Sequence, residues 1–316
     1  MIQLARTSLN VFFTDHEVSF IEKPDGYNMK KLKYSSVDLE PGMIENGIIY
    51  KEEKLLKLLK ETFKMFKIKA KRVNLVVHEE LFTFRKIEVP IIYKPNEIGD
   101  YIKQQMQKMI MVPFEDMKMD YVIHRKNEDH YEVIMFYAPT TELKTYLNVF
   151  YNMNMEVIRT DIPPLALHRL YYYRKHEDSD LEFDKDIMFV TIFDYTYSLY
   201  IFDEEIPLFS LVNNITAKIL QDDKYLELID SEISKIANYY KYNIHSGERD
   251  VQKVVIYNMS NKFTNEKLNQ YFVEEGATIE SQIFDMKQVS TIVDTLIDRE
   301  CYIPLASSLI QSRGLF

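Results

Sequence analysis

Two stretches of this chain read as tight hairpins, Leu9–Glu22 (LNVFFTDHEVSFIE) and Ile187–Phe202 (IMFVTIFDYTYSLYIF), and each opens the same series of elements. In the first, apolar residues flank the polar turn Thr14-Asp15-His16-Glu17, and a further strand follows around Lys30–Val37. Pro-Gly and Asn-Gly pairs then mark turns. From Lys51 a helix carries Leu55, Leu56, Leu59, Phe63 and Phe66 on one side, and Arg72–Val77 reads as a short buried strand. The second hairpin continues into Ile206–Val212, a helix over Asn213–Leu220 and a long helix over Tyr225–Ile244. A strand at Lys253–Tyr257, a helix over Asn265–Glu275, a strand at Thr278–Gln282 and a closing helix from Tyr302 complete it. The same order occurring twice restricts the chain to two mixed α/β lobes, and a length of 316 residues exceeds one typical core.

Between the two copies lies a different pattern. Phe84–Val89 alternates like a half-buried strand that Pro90 ends, and Pro95-Asn96-Glu97 opens a helix with Ile98, Ile102, Met106, Met109 and Ile110 on one face. Pro113 stops that helix, and strands follow at Met119–His124 and Tyr131–Ala138. A helix over Thr141–Tyr151, a strand at Met155–Arg159 and a proline-started helix in DIPPLALHRLYYY come next. The acidic run His176–Asp186 reads as a solvated connection.

The strand Arg85-Lys86-Ile87-Glu88-Val89-Pro90, the Glu-led helix, Pro113-Phe114-Glu115-Asp116, the Asp120-Tyr121 strand and the Leu39–Gly42 loop before the first helix together carry a resemblance. In this wording the chain resembles the PilM family, the cytoplasmic actin-like component of type IV pilus assembly machines, related to the division protein FtsA. The resemblance spans nearly the whole chain. It implies an α/β, actin-like two-lobed fold of duplicated RNase H-like lobes with a small α+β subdomain inserted in the first. The corresponding divisions are 1–78 for the first lobe, 79–160 for the insertion and 161–184 for the return to the first lobe. Residues 185–300 form the second lobe and 301–316 a C-terminal helix.

Composition narrows the function. A net charge of −10 argues against a general nucleic-acid binder. One cysteine, Cys301, rules out an internal disulfide framework and fits a reducing compartment. No signal peptide is evident, and no run approaches the ~18 apolar residues needed to cross a bilayer, so a soluble, cytosolic protein is expected. Glycine is scarce: seven in 316 residues, with no two within four positions of each other. Phosphate cradles need backbone that approaches the ligand closely, often with φ above zero, and glycine supplies both. Walker loops, G-x-G fingerprints and G-x-S-x-G elbows are all missing.

In actin-like ATPases, ATP sits between the lobes on two D-x-G-x-[ST] hairpin turns and a strand followed by Gly-Gly. Aligned without gaps, Phe12 stands at the first Asp and Thr14 at its Gly, Thr191 at the second Asp and Phe193 at its Gly, and Asn258-Met259 replace Gly-Gly. A Phe gives Mg²⁺ no oxygen ligand, a Cβ blocks close approach to phosphate, and Met259 occupies the path of the ribose. The resemblance with these departures implies a pseudo-ATPase that binds no cofactor. The alternative is a divergent ATP- and Mg-binding protein that uses Asp15 or Asp194. Further metal or nucleophile chemistry is thin: no two His lie at i, i+4, His168 reads as a structural residue, and Cys301 has no base partner in sequence.

The resemblance also implies the partner, the N-terminal cytoplasmic segment of a PilN-like membrane protein, bound between the insertion and the first lobe around Val77–Tyr93 and Pro113–Tyr121. Candidate contacts there are Arg85, Ile87, Pro113 and Phe114. Such a scaffold lies at the inner face of the cell membrane through its partner and links it to the assembly ATPase motors, with self-association left open. An FtsA-like membrane filament is disfavoured because Arg313-Gly314-Leu315-Phe316 brings no amphipathic anchor. The Lys51–Arg72 helix, with nine basic and three acidic residues, is read as a core helix whose Lys stems coat its edge.

Overall fold

The computed structural model describes residues 7–24, 32–106, 116–173, 184–215, 222–274, 279–285 and 297–309. The first lobe opens with strands β1 (Thr7–Phe13), β2 (Glu17–Pro24) and β3 (Lys33–Asp38), then a two-residue-stranded hairpin, β4 (Ile44–Glu45) and β5 (Ile48–Ile49). Helix α1 (Glu52–Met65), β6 (Arg72–Val76), β7 (Thr83–Pro90), α2 (Ile98–Met106), β8 (Met117–Lys126) and β9 (His130–Pro139) follow. Then come α3 (Thr140–Tyr151), β10 (Glu156–Asp161) and α4 (Pro163–Tyr173). The second lobe contains β11 (Ile187–Ile192), β12 (Thr196–Asp203), β13 (Ile206–Asn214), α5 (Asp222–Tyr239), β14 (Lys253–Asn258), α6 (Asn265–Asn269) and β15 (Glu280–Ile283), and α7 (Tyr302–Ser307) closes the described chain.

The duplication is visible in the ladders. One five-stranded sheet runs β3-β2-β1-β6-β10 and the other β13-β12-β11-β14-β15. In both, the first three strands are antiparallel neighbours and the last two join in parallel, so each position in one sheet has a counterpart in the other. Alternation along the strands divides each sheet between two cores. Val11, Phe13 and Val73 face α1 and α3, while Phe12, Ile21 and Val76 face the middle of the molecule. Met188 and Val190 face α5. Phe189, Tyr200 and Phe202 turn inward, where α4 and α7 lie between the sheets in one continuous apolar cluster.

Three expectations are corrected. The insertion is smaller than 79–160: its sheet is β7-β9-β8, and β10 instead pairs in parallel with β6 as an edge of the first lobe. Helix α3 goes with β10, burying Tyr146, Val149 and Phe150 in the first-lobe core. Sequence periodicity gives strand and helix type but not which sheet edge a strand joins. The expected helix at Asn213–Leu220 also does not begin there, since Asn213 and Asn214 extend the β12–β13 ladder opposite Tyr197 and Thr196. Residues 216–221 lie outside the described residues.

The acidic connection likewise ends inside the protein rather than in solvent. Asp184 accepts hydrogen bonds from Tyr171 and Tyr172, and Asp186 is buried. Arg249 donates to Asp186 at 2.5 Å and to Asp203 at 2.6 Å, and Arg125 of β8 reaches Asp203 at 2.6 Å. Burial alone would raise the Asp203 carboxyl. His124, Arg249 and Arg125 outweigh it and hold it well below the usual carboxylate range. This network joins the inserted subdomain to the second lobe. Arg249→Met leaves two buried carboxylates without their shared cation and is expected to cost roughly 3–5 kcal/mol in urea unfolding. Because the Asp203 pKa is depressed on folding, its contribution is present above the unfolded value near 3.9 and is lost as pH falls below it.

Candidate functional site

The hairpin turns of the two lobes face each other across a cleft lined by Phe12, Thr14, Glu17, Glu79, Phe193 and Met259, among others, with a volume of about 90 Å³. Pockets for small organic ligands run to roughly 300–1,000 Å³. Superposing the ladders matches the turns residue by residue. Thr14 N–H donates to Glu17 O and Phe193 N–H to Thr196 O, both at 2.9 Å, so Thr14 corresponds to Phe193, Phe12 to Thr191 and Asp15 to Asp194.

Of the six positions singled out in sequence, four converge here. Phe12 and Phe193 meet across the lobes with ring centroids 6.3 Å apart, and Met259 is buried in the same cluster. The Thr14 hydroxyl accepts from the Glu17 amide at 3.0 Å, closing its own turn. Thr191 and Asn258 lie buried beneath the cleft and do not line it. The Asn258 amide donates to Phe263 O and Asn265 Oδ1, both at 2.9 Å, and its oxygen accepts from Ser260 N–H at 3.1 Å, so it is used up in shaping its loop.

The two aspartates that a divergent ATPase would need are also occupied. Asp15 accepts from the amides of Asn46 at 2.8 Å and Gly47 at 3.0 Å. His78 Nε2 stands 3.0 Å from Asp15 Oδ1 but off the line of a hydrogen bond, so that contact is electrostatic. His78 Nδ1 accepts from Glu80 N–H at 3.1 Å, which turns Nε2 toward Asp15. Burial raises the Asp15 carboxyl, yet His78 and the two amides bring it down to about 2. Asp194 accepts from Ser260 Oγ at 2.5 Å and Asn261 N–H at 2.9 Å. Each aspartate pins the neighbouring loop of its own lobe.

Polar contacts missed in the sequence hold the cleft together. Glu79, one turn beyond β6, is buried and accepts from Ser198 Oγ at 2.6 Å and from the Tyr200 hydroxyl, both on β12. Asn214 reaches back to Glu80 at 2.9 Å, His16 packs on Tyr195 at 4.6 Å, and Lys262 covers the Tyr195 ring at 4.2 Å. Burial raises the Glu79 carboxyl, against the hydroxyls and His78. No sequence pattern marks Glu79, since its partners are more than a hundred residues away. Elsewhere, His168 is structural: its Nε2 lies 2.9 Å from Glu204 O, and burial lowers its pKa to about 4. Cys301 is buried and its thiol is raised. Among the described residues, no group of three or more His, Cys, Asp or Glu is arranged to hold a metal ion.

Arg85 and Ile87 alternate onto the face of β7 that carries α2, with Arg85 exposed and Ile87 packed on the subdomain core. Pro113 and Phe114 lie outside the described residues.

Glu17 gives the cleft a pH response. Burial, with Glu300, Asp194 and Asp38 nearby, pushes its carboxyl up to about 8, and one of its oxygens is buried without a partner. The unfolded chain releases this proton near pH 4.5 and the folded one near 8. Folding therefore takes up a proton between those values, and stability falls as pH rises through that window, by up to about 1.4 kcal/mol per unit. Glu17→Gln is expected to remove the decline, so its Tm advantage over the parent should grow between pH 5 and pH 8.

Comparison with known proteins agrees with this geometry. The family model "Type IV pilus assembly protein PilM" matches residues 14–215. A search of curated protein sequences returns no match. A solved structure described as a PilM-PilN type IV pilus biogenesis complex superposes with a TM-score of 0.70 at 15% identity, covering 96% of this chain and 97% of that one. The cytoplasmic domain of EpsL, an inner-membrane component of the type II secretion system of Vibrio cholerae, aligns with a TM-score of 0.50 at 8% identity over 93% of this chain and 97% of its own. The ethanolamine utilization protein EutJ from Carboxydothermus hydrogenoformans aligns with a TM-score of 0.50 at 7% identity, covering 97% and 90%. With the actin-like fold common to these structures and a family match over most of its length, the chain belongs to the PilM family of type IV pilus assembly proteins.

Proposed function

We propose that this protein is a non-catalytic adaptor of a type IV pilus or a related competence or secretion machine. In this reading it docks the cytoplasmic N-terminal segment of a PilN-like inner-membrane protein and connects that protein to the assembly motors. The observation that carries the non-catalytic part is the Phe12–Phe193 contact, at 6.3 Å, in the space between the two hairpin turns. A phosphate chain there would have to displace two rings from an apolar cluster and find ligands for Mg²⁺. The neighbouring carboxylates Asp15 and Asp194 already serve their loops. Family membership supports the pilus assignment, and the relative whose structure is described as a PilM-PilN complex supports the class of partner. No helix among the described residues is long and apolar enough to cross a membrane, in keeping with a cytoplasmic protein held at the membrane by its partner.

Thermal unfolding with and without millimolar MgATP tests the pseudo-ATPase reading. A ligand that binds only the native state stabilises it by RT ln(1 + [L]/Kd), so the expected outcome is no shift. A rise of several degrees would show that nucleotide binds despite the closed cleft. Partner docking is tested separately by titrating a peptide from the cytoplasmic N-terminus of a PilN-like protein, with Arg85→Glu expected to weaken binding about tenfold. Equal affinity in that variant would move the groove away from β7.

A further inference from the structure

The end of the first lobe farthest from the cleft is built differently from the rest of the molecule. Helices α1 and α3 run side by side on the outer face of the sheet, and each leads into a parallel strand, β6 or β10, that begins in register with the other at Arg72 and Glu156. Both helices therefore finish at the same edge of the lobe. The apolar stripe of α1, Leu55, Leu59 and Phe63, is buried against the sheet, so the helix has no apolar face to insert in a bilayer. Its opposite side and the loop after it present Lys60, Lys64, Lys67, Lys69 and Lys71, all exposed and none with an ion-pair partner among the described residues. The loop is held in place. Lys67 adopts φ 52, and Ile68 N–H donates back to Phe63 O at 2.9 Å, closing the helix end so that Lys67 and Lys69 project from it.

Two apolar side chains stand out at this edge. Met65, in the last turn of α1, is 73% exposed, and Tyr151, the last residue of α3, is 78% exposed. The acidic residues at this edge are the exposed Glu61 and Glu156 and the buried Glu22, whose carboxylate accepts from the Ala70 N–H at 2.6 Å and pairs with Lys33 at 2.8 Å, which leaves a basic excess on a chain whose net charge is −10.

We propose that this edge is a contact surface for an anionic lipid bilayer, bringing the first lobe directly against the headgroups with the cleft turned away. Charge complementarity selects the lipid surface. Lysines near an anionic leaflet strengthen association about fivefold each, while exposed Met and Tyr side chains among them settle at the headgroup boundary. A nucleic acid fits less well. The exposed cationic groups are Lys rather than the Arg forks suited to phosphate recognition, Arg72 being only partly exposed, and the strongly acidic remainder repels a long polyanion. The surface lies apart from the cleft and from β7, so its test stands independently of the adaptor reading.

Flotation of the full chain with phosphatidylcholine vesicles containing 0, 30 or 60% phosphatidylglycerol provides that test. Binding should be absent on neutral vesicles, rise with the anionic fraction and disappear in 0.5 M salt, where screening falls to a few Å. The triple variant Lys60→Glu, Lys64→Glu, Lys67→Glu, with an unchanged Tm, should bind at least tenfold more weakly, and Lys224→Glu on the second lobe should bind as the parent does. Met65→Ser with Tyr151→Ser should weaken binding and leave its salt dependence intact. Failure of the parent to float, equal binding by the triple variant, or tighter binding to a DNA duplex than to anionic vesicles would overturn the proposal.

Discussion

One buried acidic side chain fixes how the two lobes meet at their junction. Glu79 leaves the first-lobe sheet and buries its carboxylate between two hydroxyls of the second-lobe sheet, Ser198 and Tyr200. An unpaired charge there would carry a large desolvation penalty, so the contact specifies one relative placement of the lobes. Around it the interface is apolar and aromatic. The Tyr257 hydroxyl donates to Leu167 O at 2.9 Å, and α4 and α7 fill the space between the sheets. In an actin-like fold whose nucleotide bridges the lobes, the ligand supplies part of this adhesion. In this chain side chains make contacts between the lobes directly, Glu79 with Ser198 and Phe12 with Phe193.

The turns of the two lobes are shaped by hydrogen bonds within each lobe. A glycine turn grips phosphate by presenting bare backbone amides. In this chain the turn aspartates bind the amides of adjacent loops: Asp15 collects the N–H groups of Asn46 and Gly47 in the β4–β5 turn, and Asp194 those of Asn261 and Lys262 after β14. Gly47 shows how tight the result is. It sits at φ +75, and a Cβ there would lie 2.9 Å from His78 Nδ1. The cost of this packing appears at Glu17, which keeps a buried oxygen without a partner beside other acidic groups.

Much of the architecture was legible because it rests on local periodicity. The duplicated order of elements and the type of nearly every element follow from alternation, helical stripes and turn residues in the chain, and the six positions at the inter-lobe turns from alignment with the motifs of the family it resembles. Phe12 and Phe193 could be picked out as misfits because the turn pattern demands small or acidic residues there. Glu79 could not, since a glutamate after a buried strand looks like any solvated loop residue until the second lobe folds over it. The insertion boundary failed for a related reason: α3 and β10 have the composition of either unit, and only pairing with β6 assigns them to the first lobe.

By itself, then, the sequence determined two copies of one α/β pattern, the scarcity and wide spacing of glycine, and the residues that stand at the inter-lobe turns. The tertiary structure alone decided that Phe12, Phe193 and Met259 meet, that both turn aspartates bind the loops beside them, and that a lysine-rich edge is left facing outward. The physical reason is range. Periodicity and backbone permissiveness act over a few residues and are written locally. Which carboxylate is buried, which ring faces which, and which charges go unpaired depend on partners that only folding brings together.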